Sequence, residues 1–308
     1  KFLSYIFCIA GVIGLLAIFQ ANQLTAVIQA VLIQPETIEE TVRNRWIIGI
    51  GMMSLTAIVI LGGIQRIAAV ASKMVPFMVG IYFFTVIIIV FKYFGDIPEM
   101  LKLIVVDAFT GNAVMGGAVG SVIIVGARRA AFSNEAGIGT APMVHCQSKN
   151  SEPIREGLIA MLGPFIDTIV VCTLTALAIL LTGVWESTEN DGVKLTLAAF
   201  EIGIPVVGKY LLMISVLVFA LSTMFTYSYY GHKCMNYLFG ADKANYYNYF
   251  YLATIVVGAV ASLEVVVSLV DGMYAVMAFP NMIAAIYLAP KVKAATKDYF
   301  ARMKQREG

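Results

Sequence analysis

The sequence predicts an all-α protein that crosses a membrane several times. Of its 308 residues, 60% are hydrophobic and only 13% are charged, whereas about a quarter of the residues in a soluble domain are charged. Eight segments approach the roughly 20 mostly apolar residues that a spanning helix needs: 2–33, 46–63, 74–94, 113–133, 156–183, 206–231, 247–265 and 268–289. We therefore expect a polytopic helical membrane protein with eight transmembrane helices in this chain.

The positive charges predict its orientation. Lysine and arginine in short loops favour the cytoplasmic side. Successive spans cross the membrane in opposite directions. If the loop 66–73 is cytoplasmic, the segments 128–155, 232–243 and the basic tail 291–308 are therefore cytoplasmic too, and this side then holds most of the lysines and arginines. We expect a cytoplasmic C-terminus. The net charge of +2 and the lack of a basic patch give no indication of nucleic-acid binding.

The first segment begins at Phe2, directly after Lys1, and continues without a cleavage-site pattern to Ile33. A signal peptide has a shorter apolar region that ends at a cleavage site. We interpret the segment as a transmembrane helix and expect the chain to be a fragment whose upstream sequence is missing. Five hydrogen-bonding side chains follow within ten residues: Gln20, Asn22, Gln23, Thr25 and Gln29. Bonds between helices and the lining of a polar cavity explain them equally well.

The segment 113–133 is rich in glycine and ends in the polar run SNEAGIG. Irregular backbone at membrane depth occurs only where it is buried in protein or lines a cavity. Gly116 and Gly120 form a GxxxG pair, so helix packing is an alternative for the glycines. We interpret Arg128 and Arg129 as cytoplasmic anchors and expect a functional role for the SNEAG run.

The segment 206–231 carries hydroxyl side chains at helical spacing: Ser215, Ser222, Thr223 and Thr226. The hydroxyls at 222 and 223 follow the Phe219 carbonyl by one turn, and three such oxygens suit a small hard cation. On the residues alone, bonding of each hydroxyl to the carbonyl four residues earlier is the simpler explanation.

Asp167 lies inside the predicted span 156–183, with Thr168, Cys172 and Thr175 at helical spacing. An ionisable residue at membrane depth indicates function, although Pro164 is close enough for Asp167 to cap or brace the helix instead. The pairs His145–Cys146 and His232–Cys234 lack zinc-site spacing. No catalytic motif is present, so we do not expect an enzyme, a cofactor or a bound metal other than a transported cation.

Several long motifs together resemble those of the alanine-or-glycine:cation symporter family. The most specific are GARRAAFSNEAGIGTAP at 126–142 and FIDTIVVCTLTA at 165–176. Shorter matches are distributed along the chain: QAN at 20–22, GGIQRIA at 62–68, VPFM at 75–78, FALST at 219–223, YYG at 229–231 and FPN at 279–281. The resemblance covers the whole chain.

The resemblance implies an inverted-repeat, leucine-transporter-like fold that is truncated at the N-terminus. Residues 1–290 would then form a transmembrane transporter core of core helices three to ten, without helices one and two, and residues 291–308 a cytoplasmic basic tail. The span 113–133 would be the second broken helix of such a fold. The helix ends at such a break suit charged parts of a substrate.

The resemblance also implies roles for individual residues. Phe219, Ser222 and Thr223 match the eighth-helix part of a sodium site, which makes the cation interpretation the favoured one. Gln20 becomes the best candidate to bond a substrate amino acid. The remaining substrate candidates are Asn22, Gly120, Ile123, Gly126 and Thr226. Candidates for gating and conformational change are Ser133, Asn134, Glu135, Gly137 and Asp167.

The implied function is secondary active import of alanine- or glycine-type amino acids, coupled to sodium by alternating access. The implied partners are the amino acid, the sodium ion and membrane lipid, and the implied location is the plasma membrane. Two alternatives stay open at this point. One is a proton-coupled amino-acid symporter that uses Asp167, and the other is an ion channel.

Overall fold

The computed structural model describes residues 1–109, 119–186 and 192–307, and these residues form helices and no β-strand. The α-helices are α1 Phe2–Gly14, α2 Ile18–Ile28, α3 Ile38–Ile60, α4 Gly63–Lys92, α5 Ile97–Phe109, α6 Val119–Asn134, α7 Thr140–His145, α8 Pro153–Pro164, α9 Thr173–Leu181, α10 Val193–Gly203, α11 Gly208–Phe239, α12 Ala241–Val260 and α13 Leu263–Glu307. Two π-helical segments, Gln29–Ile33 and Phe165–Cys172, continue α2 and join α8 to α9.

The described residues contain five helical stretches that are long and apolar enough to cross a membrane: Phe2–Ile33, Gly63–Lys92, Pro153–Leu181, Gly208–Phe239 and Leu263–Gln305. They confirm the predicted all-helical membrane class. α3 and α12 overlap the other expected spans 46–63 and 247–265. The number of crossings and the inverted repeat stay predictions. Gly116 and Gly117 lie outside the described residues, so the expected break there is also untested.

The first predicted span, 2–33, is confirmed as an apolar stretch long enough to cross a membrane, but its helix is interrupted once. α1 ends at Gly14, and α2 begins only at Ile18. Leu15, Leu16 and Ala17 fill this break and are almost completely buried. The Leu15 amide bonds the Gly11 carbonyl at 3.1 Å and the Leu16 amide bonds the Ile13 carbonyl at 3.2 Å, so these two buried amides keep partners in α1.

α10 is a helix that the hydropathy pattern did not predict. It begins after Gly192, whose φ of +57° lies in the left-handed region that glycine tolerates. The side-chain oxygen of Gln23 accepts a 3.0 Å bond from the Val193 amide at its first turn. A polar residue of α2 thus fixes the start of α10, because the first amides of a helix have no partner within the helix.

Two apolar clusters hold the helices together. One joins α1 and α2 to the middle of α11, to α12 and to α13; its most deeply buried members are Leu15, Leu24, Met224, Tyr251 and Met277. The other joins the end of α2 to α4, α9, α10 and the start of α11. α2 therefore lies between both clusters, and its polar side chains face other helices and not lipid.

α13 is a single 45-residue helix that includes Pro280 and Pro290. The predicted tail 291–308 continues this helix as far as Glu307. Arg302 on this part donates 2.7 and 3.2 Å bonds to the carboxylate of Glu152, just before α8, and a 2.9 Å bond to Asp298. The tail is therefore connected to the α7–α8 loop.

Candidate functional site

Four of the five polar side chains predicted along the first span are satisfied by protein partners. Thr25 bonds the Ala21 carbonyl at 2.7 Å within its own helix. Gln29 donates to the Thr41 carbonyl at 2.8 Å and so connects the π-helical end of α2 to α3. Gln23 links α2 to α10, as described above. For these residues the structure favours bonding between or within helices over the lining of a cavity.

Asn22 was expected to bind substrate, but its side chain is occupied by protein groups. Its amide nitrogen donates to the carbonyls of Gly258 at 3.2 Å and Ala261 at 2.7 Å, at the end of α12. Its oxygen accepts a 3.0 Å bond from Gln23. Asn22 therefore braces α2 against α12, and both hydrogens of its amide group are bonded to protein carbonyls.

Gln20 differs from these neighbours. Its side chain is 8% exposed, and its oxygen Oε1 is buried with no hydrogen-bond partner among the described residues. A buried polar group without a partner costs about 1–3 kcal/mol, so its retention needs an explanation. Gln20 follows the break between α1 and α2 by one turn. The oxygen Oε1 of Gln20 is therefore available to accept a hydrogen bond from a ligand.

The predicted cation ligands lie together on α11. The Ser222 hydroxyl, on a residue that is 5% exposed, donates to the Phe219 carbonyl at 2.9 Å. Thr223 is partly buried on the next position. Thr226 bonds the carbonyls of Ser222 at 2.9 Å and Thr223 at 3.2 Å, so its hydroxyl is used within the helix. The oxygens of Phe219, Ser222 and Thr223 thus lie within one turn.

Asp167 lies in the π-helical segment Phe165–Cys172 and lines a cavity of about 470 Å³. We call it the Asp167 cavity. α4, the end of α6, the π-helical segment and α11 form its walls, and Ser133, Ser215 and Phe219 line it as well. Pro164, which has no amide hydrogen, directly precedes the wider helical turn. π-helical turns are common at functional sites. The fold therefore brings a predicted gating pair close to a predicted cation ligand.

The end of α6 is hydrogen-bonded to this π-helical segment. Ser133 donates to Asp167 at 2.6 Å, and Asn134 donates to the Thr168 hydroxyl at 2.8 Å. The Asn134 oxygen in turn accepts a 2.8 Å bond from the Ala136 amide and shapes the turn after α6. Ser133, Asn134, Asp167 and Thr168 therefore belong to one hydrogen-bond network, and the gating role of its members stays a prediction.

Glu135 lies in the turn between α6 and α7 and adopts a positive φ of +53°. Its carboxylate accepts a hydrogen bond from Tyr227 of α11, and the Tyr227 hydroxyl lies 3.0 Å from that of Tyr274 of α13. Burial raises the pKa of the Glu135 carboxyl above its ordinary value, and hydrogen bonds from Thr140 and Tyr227 only partly offset this. The turn is therefore locked onto two long helices.

A second contact fixes the same turn. Asn281 of α13 donates a 2.8 Å bond to the Gly137 carbonyl. The YYG and FPN motifs are visible in the sequence, but they do not indicate which role Tyr227, Tyr274 or Asn281 has. The spacing of the tyrosines along the sequence does not indicate these contacts, because they join positions between 47 and 144 residues apart. For Asn281, its place in the FPN motif was a sequence feature that could have pointed to a role.

Arg129 makes an ion pair that the sequence did not anticipate. Its guanidinium lies 2.6 Å from the Asp271 carboxylate of α13, with the two side chains 47% and 20% exposed. The expectation that Arg129 is only an interfacial anchor is therefore incomplete. The residue also connects α6 to α13, next to the Glu135 contacts.

Two of the three predicted substrate ligands on α6 lie at exposed positions and do not join Gln20 in a buried site. Ile123 is 65% exposed, and Gly126 has open space around it. Gly120 lies in the described part of the α6 backbone, but its surroundings lie outside the described residues. The described part of α6 packs against the π-helical segment and α13, and its Phe132 ring lies 4.8 Å from the Phe19 ring of α2.

The histidine and cysteine pairs are not brought together. His145 lies 2.7 Å from Glu156 of α8, and His232 lies 3.4 Å from Asn245 of α12. Cys234 is buried near Gly11 of α1. In the parts of the chain that the structure describes, no group of three His, Cys, Asp or Glu residues can hold a metal.

Comparison with known proteins gives one consistent result. The family model described as the sodium:alanine symporter family matches residues 1–308. The protein named sodium/alanine symporter AgcS, from Methanococcus maripaludis, is 36% identical over 82% of this chain and 56% of its own length. An uncharacterized transporter of Haemophilus influenzae is 38% identical over 81% of this chain and 56% of its own.

A sodium/proton-dependent alanine carrier protein of Bacillus sp. is 29% identical over 89% of this chain and 66% of its own length. The chain spans a little over half the length of the first curated relatives that it matches.

Proposed function

The chain belongs to the sodium:alanine symporter family, and from this premise we propose that it carries part of a transporter that imports alanine- or glycine-type amino acids together with sodium. Its long apolar helices make it an integral membrane protein. We further propose that it lies in the plasma membrane with its C-terminus in the cytoplasm. Transport by alternating access needs no covalent chemistry and no cofactor apart from the coupling ion.

The buried oxygen of Gln20 is the observation that carries this proposal. A carboxamide oxygen accepts hydrogen bonds, and the ammonium group of an amino acid offers three donors. A site of this kind rejects analogues that lack the donor, because the buried acceptor is then left unpaired. Gln20 lies next to the break between α1 and α2, where the chain departs from regular helix at a buried position.

For sodium we propose the oxygens of Phe219, Ser222 and Thr223 as ligands. Hydroxyl and carbonyl oxygens are suitable ligands for a hard cation. The Ser222 hydroxyl already lies 2.9 Å from the Phe219 carbonyl, so little rearrangement brings both to one ion. If sodium and amino acid stabilise the same conformation, each raises the affinity of the protein for the other by the same factor.

For alternating access we propose that the turn after α6 acts as a latch. Glu135 and Gly137 attach it to α11 and α13, and Ser133 and Asn134 attach it to the π-helical segment. These bonds are polar and only partly buried, so they can break and re-form at modest cost. Their release would let α6 move against the rest of the helices.

The direct test is uptake of labelled alanine and glycine by the full-length protein in proteoliposomes. We expect uptake against a concentration gradient when sodium is high outside, and loss of accumulation when potassium replaces sodium on both sides. Equal uptake under the two conditions would contradict sodium coupling. A current that grows without saturation as the amino acid concentration rises would instead favour a channel.

Proton coupling through Asp167 is the second candidate. It is favoured by the placement of this carboxyl at the Asp167 cavity beside Phe219, and by the hydroxyls of Ser133 and Thr168 around it. A pH gradient without sodium should then drive uptake, and Asp167→Asn should abolish that uptake. Sodium-driven uptake should continue in this variant, because the asparagine oxygen still accepts the Ser133 hydrogen bond. If a pH gradient alone drives no uptake, protons do not replace sodium as the coupling ion.

A further inference from the structure

We propose that a cavity between the α3–α4 turn and the α11–α12 turn binds the headgroup of an anionic phospholipid. The cavity has a volume of about 580 Å³ and contains none of the residues assigned to transport. Its walls come from the last turn of α3, the start of α4, the second half of α11 and the first half of α12. We call it the headgroup cavity.

One wall of the headgroup cavity carries a positive charge and several neutral polar groups. Lys233 lies on this wall, and its ammonium lies 5.3 Å from the centre of the Tyr229 ring. Among the described residues Lys233 makes no ion pair, and those that line the cavity include no carboxylate. An anion that enters therefore meets a cation whose charge is not neutralised by a neighbour.

The neutral groups suit the polar part of a phospholipid. Asn236, Asn245 and Asn248 line the same wall as Lys233. Each carboxamide offers two donors and an acceptor, which match phosphate oxygens and the hydroxyl or ester groups of a headgroup.

The opposite wall is apolar. Ile60, Ile64 and Ile67 form it, together with the exposed Leu61. The side chains of Leu61 and Ile64 are 57% and 48% exposed, whereas Ile60 and Ile67 are buried. A small soluble anion gains no binding free energy from this apolar wall. An acyl chain can cover the wall, so a ligand with an anionic headgroup and an apolar tail fits both walls.

The position of the cavity agrees with this ligand. All four elements that form it end or begin there, at the side of the protein on which Arg66, Lys73, Lys233 and Lys243 lie and which the positive-inside rule predicts to be cytoplasmic. Anionic lipids give the cytoplasmic leaflet a negative surface potential, and basic pockets between helices on that side bind lipid headgroups.

The test compares lipid retention by the purified protein in detergent, measured by native mass spectrometry. The probes are phosphatidylglycerol and phosphatidylcholine with the same acyl chains, and glycerol phosphate as a soluble headgroup. We expect preferential retention of phosphatidylglycerol. Lys233→Gln should reduce this preference roughly fivefold, the factor that corresponds to the ~1 kcal/mol of one lysine near an anionic membrane surface.

Lys243→Gln is the matched control, because Lys243 is exposed on the first turn of α12 and does not line the cavity. It should leave the preference unchanged, and Ile64→Ser should reduce retention of both lipids. Equal retention of the two lipids by the unaltered protein would overturn the proposal. So would an equal loss in the two lysine variants, which would show a general surface charge effect. Binding of glycerol phosphate as tight as that of the lipid would identify a soluble anion as the ligand instead.

Discussion

The Ser133 hydroxyl donates a 2.6 Å hydrogen bond to the carboxylate of Asp167. Two motifs that lie 34 residues apart in the sequence thereby become one structural unit, in which the end of α6 is attached to a π-helical segment of the next long helix. The bond lies at the wall of a cavity that also includes Phe219. A change at Ser133 can therefore affect both the turn after α6 and the proposed cation ligands.

Ser133→Ala should lower the free energy of unfolding by about 1 kcal/mol, since a hydroxyl that bonds a half-buried carboxylate is lost. We expect a larger effect on transport, because the turn after α6 loses one of its attachments. The matched control is Ser54→Ala in α3, whose hydroxyl only bonds the Ile50 carbonyl of its own helix. Denaturation in detergent and uptake rates measure the two effects; identical behaviour of the two variants would remove Ser133 from the latch.

Gln20→Met and Gln23→Met should have opposite effects. Gln20→Met replaces a buried oxygen that has no partner by an apolar group. The free energy of unfolding should therefore be unchanged or higher, while uptake of the amino acid is lost. Gln23→Met leaves the Val193 amide and the Asn22 oxygen unsatisfied, which should cost about 1–3 kcal/mol. Thermal unfolding and substrate affinity separate these effects. Normal substrate affinity in Gln20→Met would exclude Gln20 from the site.

Ser222→Ala should raise the sodium concentration needed for half-maximal uptake at least tenfold, which corresponds to about 1.4 kcal/mol of binding free energy. Thr223→Ala should act in the same direction. Ser215→Ala is the control: its hydroxyl lies on the same helical face but bonds the Leu211 carbonyl. A shift below about twofold is expected there. Equal shifts at 215 and 222 would indicate a general effect on α11.

Glu135→Gln should make stability less dependent on pH. A carboxyl whose pKa is raised in the folded protein stabilises the fold fully below its pKa in the unfolded chain. That contribution is lost as the pH rises through the folded-state pKa. The unaltered protein should therefore lose stability relative to Glu135→Gln as the pH rises above the ordinary range of a glutamate. Unfolding temperatures measured as a function of pH test this, and a difference that stays constant with pH would contradict it.

The sequence by itself determined the class of the protein, its family and the positions of most long helices, because hydropathy over about 20 residues and long motifs are local signals. It also predicted functional roles for the SNEAG run, Asp167 and the hydroxyls of α11, and these roles stay predictions. It predicted one continuous helix for 2–33 and no helix at 193–203, because a buried break and a helix fixed by a distant glutamine depend on neighbours that hydropathy does not report.

Only the tertiary structure distinguished Gln20 from Asn22 and Gln23. All three are polar residues of the same helix, and helical spacing shows which of them share a face but not which carbonyls and amides lie opposite. Asn22 finds its acceptors more than 230 residues away in α12, and Gln23 finds its donor in α10, 170 residues away. The side-chain oxygen of Gln20 finds no donor among the described residues. The cost of a buried polar group depends on its partners, and partners are decided when the helices pack.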